Sequence, residues 1–387
     1  MVSYEPERWS LDDLLPGDGS EVVDRVIEKA EARLASFSGF RPLLSENIDG
    51  ETFAEVLDLY EQLHVDASTI AAYSYLWFSE DTANQAAVTL RARVSQAVAD
   101  LENGMLFFTL WWKQLDEEVA QRLLDVSGDV RYHLETLRRF KPYTLTEEQE
   151  RVINIKDVNG IDSELTIYAM ITTGFQFELT VDGEAHQLTR GQLMAYTSHP
   201  STDLRAAAYQ SLLGVYREHY DVLAQIYAAR VRDWSAEQVK LRGFESPISV
   251  RNLSNDIPDA VVDTMLAVVR EQSALFRRFF RFKAERLGVD RLRRYDLYAP
   301  LTESERTYSF DEAVDLVDES YRDFSPLLAD HAMRVLNDRH LDAETRADKL
   351  DGAFCYGALP DLTPWVLVNF TGKIRDVSTL AHELGHA

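Results

Sequence analysis

The 387-residue chain carries 65 acidic against 40 basic residues, a formal net charge of −25, and 45% of it is hydrophobic. Such a length supports a large core, as two or three domains or one extended helical body. The charge argues against nucleic acid or an anionic membrane as partner, because phosphate groups are repelled.

Only eight of the 40 basic residues are lysine, which leaves 32 arginines. An acidic, lysine-poor surface fits a salt-adapted, halophile-like protein, and the arginine bias fits equally well a GC-rich genome. The first residues lack the apolar stretch of a secretory signal. The longest strongly apolar run, 105–112, is too short to cross a bilayer.

Taken in chain order, Ser10 with Asp13 makes a capping-box pattern ahead of a short helix, and Ser20 opens a 3.6-period segment through Val23, Ile27 and Leu34. Amphipathic helices are expected at 52–63, 67–78, 83–112, 117–124 and 130–140. Their connectors are short enough for antiparallel neighbours. The run 106–112, apolar nearly all round, reads as buried core.

Residues 175–181 alternate apolar and polar, Asp182-Gly183 is a hairpin turn, and 184–188 return as the second strand, with Thr189 placed to cap the next helix. His186 and His199 lack a partner at ligand spacing and read as surface residues. One long helix is expected from Asp203 to about Arg242, carrying His219 as a packing or surface residue. Pro258 stands near the first turn of another helix, and the helix after that ends near Leu287-Gly288. Arg277, Arg278, Arg281 and Arg286 read as a solvated basic face. A helix is expected over 310–337. No internal repeat or low-complexity linker is visible.

Cys355 is the only cysteine, so no internal disulfide can form and a reducing, cytoplasmic setting is expected. Between Phe354 and Tyr356 it reads as a small buried hydrophobe rather than a nucleophile. The apolar stretch 365–370 reads as a strand before the last helix, for which Asp376 is a candidate N-cap.

That helix ends in His382-Glu383-Leu384-Gly385-His386. Residues four apart differ by about 40° around a helix axis, so His382 and His386 can direct two imidazoles at one ion. Glu383 projects from a neighbouring face, as a general base for an activated water requires. Val377, Leu380 and Leu384 form an apolar stripe on the side away from the histidines.

These residues, with Gly352-Ala353-Phe354-Cys355-Tyr356-Gly357 and the stretch 364–373, resemble the oligoendopeptidase F family, zinc oligopeptidases related to thimet oligopeptidase. Weaker echoes at 9–14, 242–246 and 295–301 keep the family's order. The resemblance implies a mainly α, large helical peptidase fold, with a small β element beside the zinc helix and a zincin-type site in a channel that admits short unfolded peptides.

On this reading His382 and His386 bind one Zn2+ and Glu383 is the general base. Residues 1–200 are an N-terminal helical region with the hairpin near 175–188, and 201–387 are the N-terminal portion of the zinc peptidase catalytic domain. The strand 365–370 either holds peptide substrate at a sheet edge by β-addition or only braces the zinc helix.

The family's third ligand is a glutamate roughly two dozen residues past the motif, and further residues that stabilise the intermediate follow it. Both are expected beyond residue 387, which leaves the C-terminal part of the fold missing and the chain alone inactive or nearly so. The alternative reading is a non-catalytic helical binding or assembly protein derived from such a peptidase.

Overall fold

The structure, a computed structural model, describes residues 4–17, 19–301, 306–346 and 348–387. Among the described residues helix dominates, with one two-stranded and one three-stranded sheet, which is the mainly α class expected. By contact the chain divides into two compact units, Met1–Arg131 with Glu305–Ala387, and Tyr132–Ser304. The expected division at 200/201 concerns roles along the chain, whereas these units follow packing.

In the first unit α1 (Ser20–Ser38), α2 (Gly50–Glu80) and α3 (Gln85–Gln114) pack against one another, and α4 (Glu117–Leu124) follows. The helices expected at 52–63 and 67–78 are one. No Gly or Pro separates them, and buried residues continue from Phe53 to Ser79. Asp49 caps α2 at the Thr52 amide, and Asn84 caps α3 at the amides of Ala86 and Ala87. The run 106–112 lies in the core as expected. Phe108 and Trp112 are fully buried, and the Tyr60 ring packs 4.8 Å from Phe108.

The short helix expected after Ser10 does not form. The Ser10 hydroxyl bonds Asp12, two residues on, and the segment stays a turn closed on the Leu11 carbonyl.

In the second unit come α5 (Arg131–Arg139), α6 (Glu147–Asn159) and α7 (Ile161–Thr173), followed by the hairpin β1 (Phe177–Val181) and β2 (Glu184–Leu188). Then come α8 (Arg190–Tyr196), α9 (Thr202–Glu218), α10 (Tyr220–Trp234), α11 (Pro247–Ser254), α12 (Asp259–Glu271) and α13 (Ser273–Arg286).

The hairpin takes the expected register, with Val181 opposite Glu184 and positive φ at Asp182 (53°) and Gly183 (87°), as the tight turn demands. Thr189 caps α8 in a capping box with Gln192. The single helix expected from Asp203 to Arg242 is interrupted. His219 leaves the helix at φ −100°, ψ 8°, its ring stacked 4.6 Å from Phe175, and beyond Trp234 the chain continues as a seven-residue π-helix, Ser235–Leu241. Buried Arg205 donates to Asp296 at 3.0 Å and to the Tyr295 and His199 carbonyls, which ties the start of α9 to the turn at 294–296.

Returning to the first unit, α14 (Phe310–Phe324) and α15 (Pro326–Asn337) replace the one helix expected over 310–337. Ser325 is extended and caps α15, and Pro326 at the first turn cannot continue α14 because it lacks the amide donor. Three strands follow, β3 (Leu341–Asp342), β4 (Phe354–Tyr356) and β5 (Trp365–Leu367), in the order β3-β5-β4, with β5 parallel to β3 and antiparallel to β4.

The middle strand β5 is buried on both faces, which explains its continuous apolar run. Trp365 and Leu367 join the core of α1, α2 and α3, while Val366 and Val368 join the core of α14 and α15. The sheet therefore mortises the chain's two ends together. The last element, α16 (Ile374–His386), packs on α14, α15, β4 and β5.

Candidate metal centre

The turn into α16 is built on Gly372, whose φ of 85° and close approach to Tyr308 exclude a side chain. A Cβ there would lie 2.9 Å from the Tyr308 carbonyl oxygen. Asp376 is not the N-cap, which is Lys373. It stands at the third helical position, where its Oδ2 accepts from the Thr371 and Lys373 amides at 2.9 and 3.1 Å and from the Thr371 hydroxyl at 2.6 Å. A carboxylate in the first turn serves the free amides and the helix dipole from inside the helix as well as a cap does.

The expected stripe is in place. Val377, Leu380 and Leu384 are buried in the core shared with α14 and α15. Tyr321 of α14 donates its hydroxyl to the Ala381 carbonyl.

On the opposite side His382 and His386 are exposed, with their Nε2 atoms 3.2 Å apart and their rings nearly perpendicular. Two imidazoles each about 2.05 Å from one ion at a near-tetrahedral angle would have their nitrogens about 3.3 Å apart. The pair thus fits two ligands of one zinc. Among the described residues no group of three or more His, Cys, Asp and Glu gathers to hold an ion, so no third donor joins the pair.

Glu383 is 8% exposed, and among the described residues its carboxylate makes no hydrogen bond or ion pair. It turns toward β4, where Cys355 stands on the face that packs on α16. Burial pushes the Cys355 thiol up from its ordinary pKa, and the negative charge of Glu383 adds to the rise. A carboxylate with no hydrogen-bond partner among the described residues is free to accept one from a water beside the histidine pair.

Sequence reasoning placed the two histidines and Glu383 on one helix but missed what surrounds them. Strand β5 is central rather than an edge strand, because it pairs with β3 on one side and β4 on the other; the edge on the other side from β3 is β4. Phe354 and Tyr356 on β4 anchor it to Tyr75 at ring distances of 5.5 and 5.3 Å, which leaves Cys355 facing α16. Asn369 donates to the Leu350 and Gly352 carbonyls and pins the approach to β4. Tyr321 had no signal of its own, although Gly385 inside an otherwise well-formed helix marks a close approach. His186 is exposed and His199 accepts from the Ser201 amide, so neither joins the site.

The sequence matches the model of peptidase family M3 over residues 195–387 and that of Oligopeptidase F over residues 111–177, which together take in more than half of the chain. Among curated relatives it is 21% identical to group B oligopeptidase PepB of Streptococcus agalactiae, over 99% of this chain and 64% of that protein. It is 20% identical to oligopeptidase PepF of Bacillus subtilis, over 98% of this chain and 57% of that protein. The chain therefore spans about three-fifths of the length of these relatives.

Its fold is like that of PZ peptidase A solved with an inhibitor, with a TM-score of 0.76 at 19% identity over 93% of this chain and 62% of that one. From both matched stretches and from relatives aligned nearly end to end with it, the chain belongs to the oligoendopeptidase F family within peptidase family M3.

Proposed function

We propose that the chain contributes the N-terminal helical region (1–200) and the beginning of the catalytic domain (201–387) of a zinc-dependent endopeptidase that cleaves short, unfolded peptides. The observation that carries this reading is the pair of imidazole nitrogens 3.2 Å apart, with Glu383 next to them on the same helix. His382 and His386 hold the ion through Nε2. Bound there, zinc supplies Lewis-acid polarisation of the scissile carbonyl and of the attacking water.

Glu383 accepts the proton of that water on a carboxylate oxygen and hands it to the leaving amine, acting first as base and then as acid. The open edge of β4 binds the peptide main chain by strand addition, while β5 behind it braces the zinc helix. A catalytic zinc takes three protein ligands. With two among the described residues, turnover by the 387-residue chain alone is expected to be absent or very low.

Peptides suit the surface better than polyanions do, given a net charge of −25. No helix among the described residues is long and apolar enough to cross a membrane. A reducing, cytoplasmic setting suits a single thiol placed beside the site.

Zinc titration by calorimetry tests the reading. One ion per chain is expected for the wild type and for Glu383→Gln, and a loss of uptake for His382→Ala and His386→Ala. In any longer form that cleaves peptides, Glu383→Gln should keep the metal and lose turnover. Uptake indifferent to both histidines favours the alternative of a non-catalytic helical binding protein, and cleavage that survives Glu383→Gln removes Glu383 from the role of general base.

A further inference from the structure

We infer that Tyr321 and Gly385 together fix the rotation of α16 about its own axis, which makes Tyr321 a positioning residue for the two histidine ligands. The inference rests on the zinc reading above and adds a device that aims the site. The Tyr321 hydroxyl donates to the Ala381 carbonyl, which also accepts the Gly385 amide within the helix. Ala381 immediately precedes His382, and Gly385 immediately precedes His386.

A Cβ at position 385 would lie 3.1 Å from the Tyr321 hydroxyl oxygen. That is closer than ordinary contact, so the missing side chain is what lets the phenol reach the backbone. Gly385 costs helix propensity, about 1 kcal/mol against alanine, and no positive φ requires it there. The close approach of Tyr321 accounts for it.

An apolar stripe alone would hold the helix loosely in rotation. Val377, Leu380 and Leu384 make non-directional contacts that permit small turns at little cost. An imidazole Nε2 stands about 6 Å from the helix axis, so turning α16 by about 10° moves it about 1 Å. Metal–ligand distances tolerate about 0.2 Å. A directional hydrogen bond into the turn that carries the ligands supplies the missing constraint, from α14, outside the site itself.

The test uses the 387-residue chain, with zinc affinity measured by competition against a chromophoric chelator and melting measured on the metal-free protein. Tyr321→Phe should melt within about 3 °C of wild type and bind zinc about 10-fold more weakly, the usual effect of losing an outer partner. Gly385→Ala, whose methyl displaces the phenol, should weaken zinc to a similar degree. The double variant should bind no worse than Tyr321→Phe alone, because the methyl has room once the hydroxyl is gone.

Wild-type affinity in Tyr321→Phe overturns the inference, as does full additivity in the double variant. A lower melting temperature with unchanged affinity does so too, by giving Tyr321 a purely structural role. Should Tyr321→Phe not fold, Gly385→Ala decides by the same affinity criterion. Failure of the wild-type chain to take up zinc would remove the metallopeptidase reading first and this inference with it, and so separates the two.

Discussion

Lys349 Nζ lies 2.8 Å from Asp342 Oδ1, and neither side chain touches solvent. The ammonium also donates to the carbonyls of Asp342, Glu344 and Val368 at 3.1, 2.8 and 2.7 Å, while Arg346 grips the same carboxylate at 2.8 and 2.6 Å. Asp342 is on β3, and Val368 lies just past β5. The cluster therefore sews the loop between β3 and β4 to the sheet that supports α16.

Breaking a buried pair from one side leaves a charge and several carbonyls without partners. Lys349→Met is predicted to cost about 3 kcal/mol, at the low end for such pairs because Arg346 still serves Asp342. Chemical denaturation checks this; a change within about 0.5 kcal/mol would mean the pair does not hold the loop.

Glu80 is expected to shape the acid side of the stability curve. Burial pushes its carboxyl up to about 6, against the lowering effect of the Trp9 indole N–H that bonds it. A carboxyl with a folded pKa above its unfolded value binds more protons when folded, so its contribution is complete below about 4.5 and is lost as pH rises through about 6. Glu80→Gln keeps an acceptor for Trp9 and should remove that fall, leaving the variant at least as stable as wild type at pH 7. Melting temperatures from pH 4.5 to 7 report it; an unchanged slope contradicts it.

Cys355 offers a chemical probe of Glu383. Its thiol is held above the ordinary value of 9.0 by burial and then by the Glu383 charge, so alkylation by iodoacetamide at pH 7.5 should be slower than that of a free cysteine. Glu383→Gln removes the charge, lowers the thiol pKa and should speed the reaction at the same pH. A rate indifferent to this substitution would mean that the two side chains do not face each other.

Much of this was legible in the sequence where local signals agree. The hairpin at Asp182-Gly183, the 117–124 helix and the stripe of Val377, Leu380 and Leu384 follow from turn chemistry and period alone. Expectations failed where one residue overrides a periodic pattern. Pro326 divides α14 from α15, and His219 breaks the long helix to stack on Phe175. α6 escaped attention although Thr146 and Gln149 form a capping box at its start.

In the candidate site, the spacing of His382 and His386 is local to one helix and could be read directly. Which strand is central depends on pairing between residues 341–342, 354–356 and 365–367. The Tyr321 contact spans 60 residues of sequence, and no periodicity encodes it.

Zinc-edge X-ray absorption on the chain loaded with one equivalent of zinc tests the central claim most directly. The account predicts two imidazole nitrogens at about 2.0 Å, with the remaining positions filled by light oxygen scatterers, and loss of the imidazole signal in the His382→Ala, His386→Ala double variant. A sulfur ligand at about 2.3 Å, or a spectrum unchanged by removing both histidines, would contradict it.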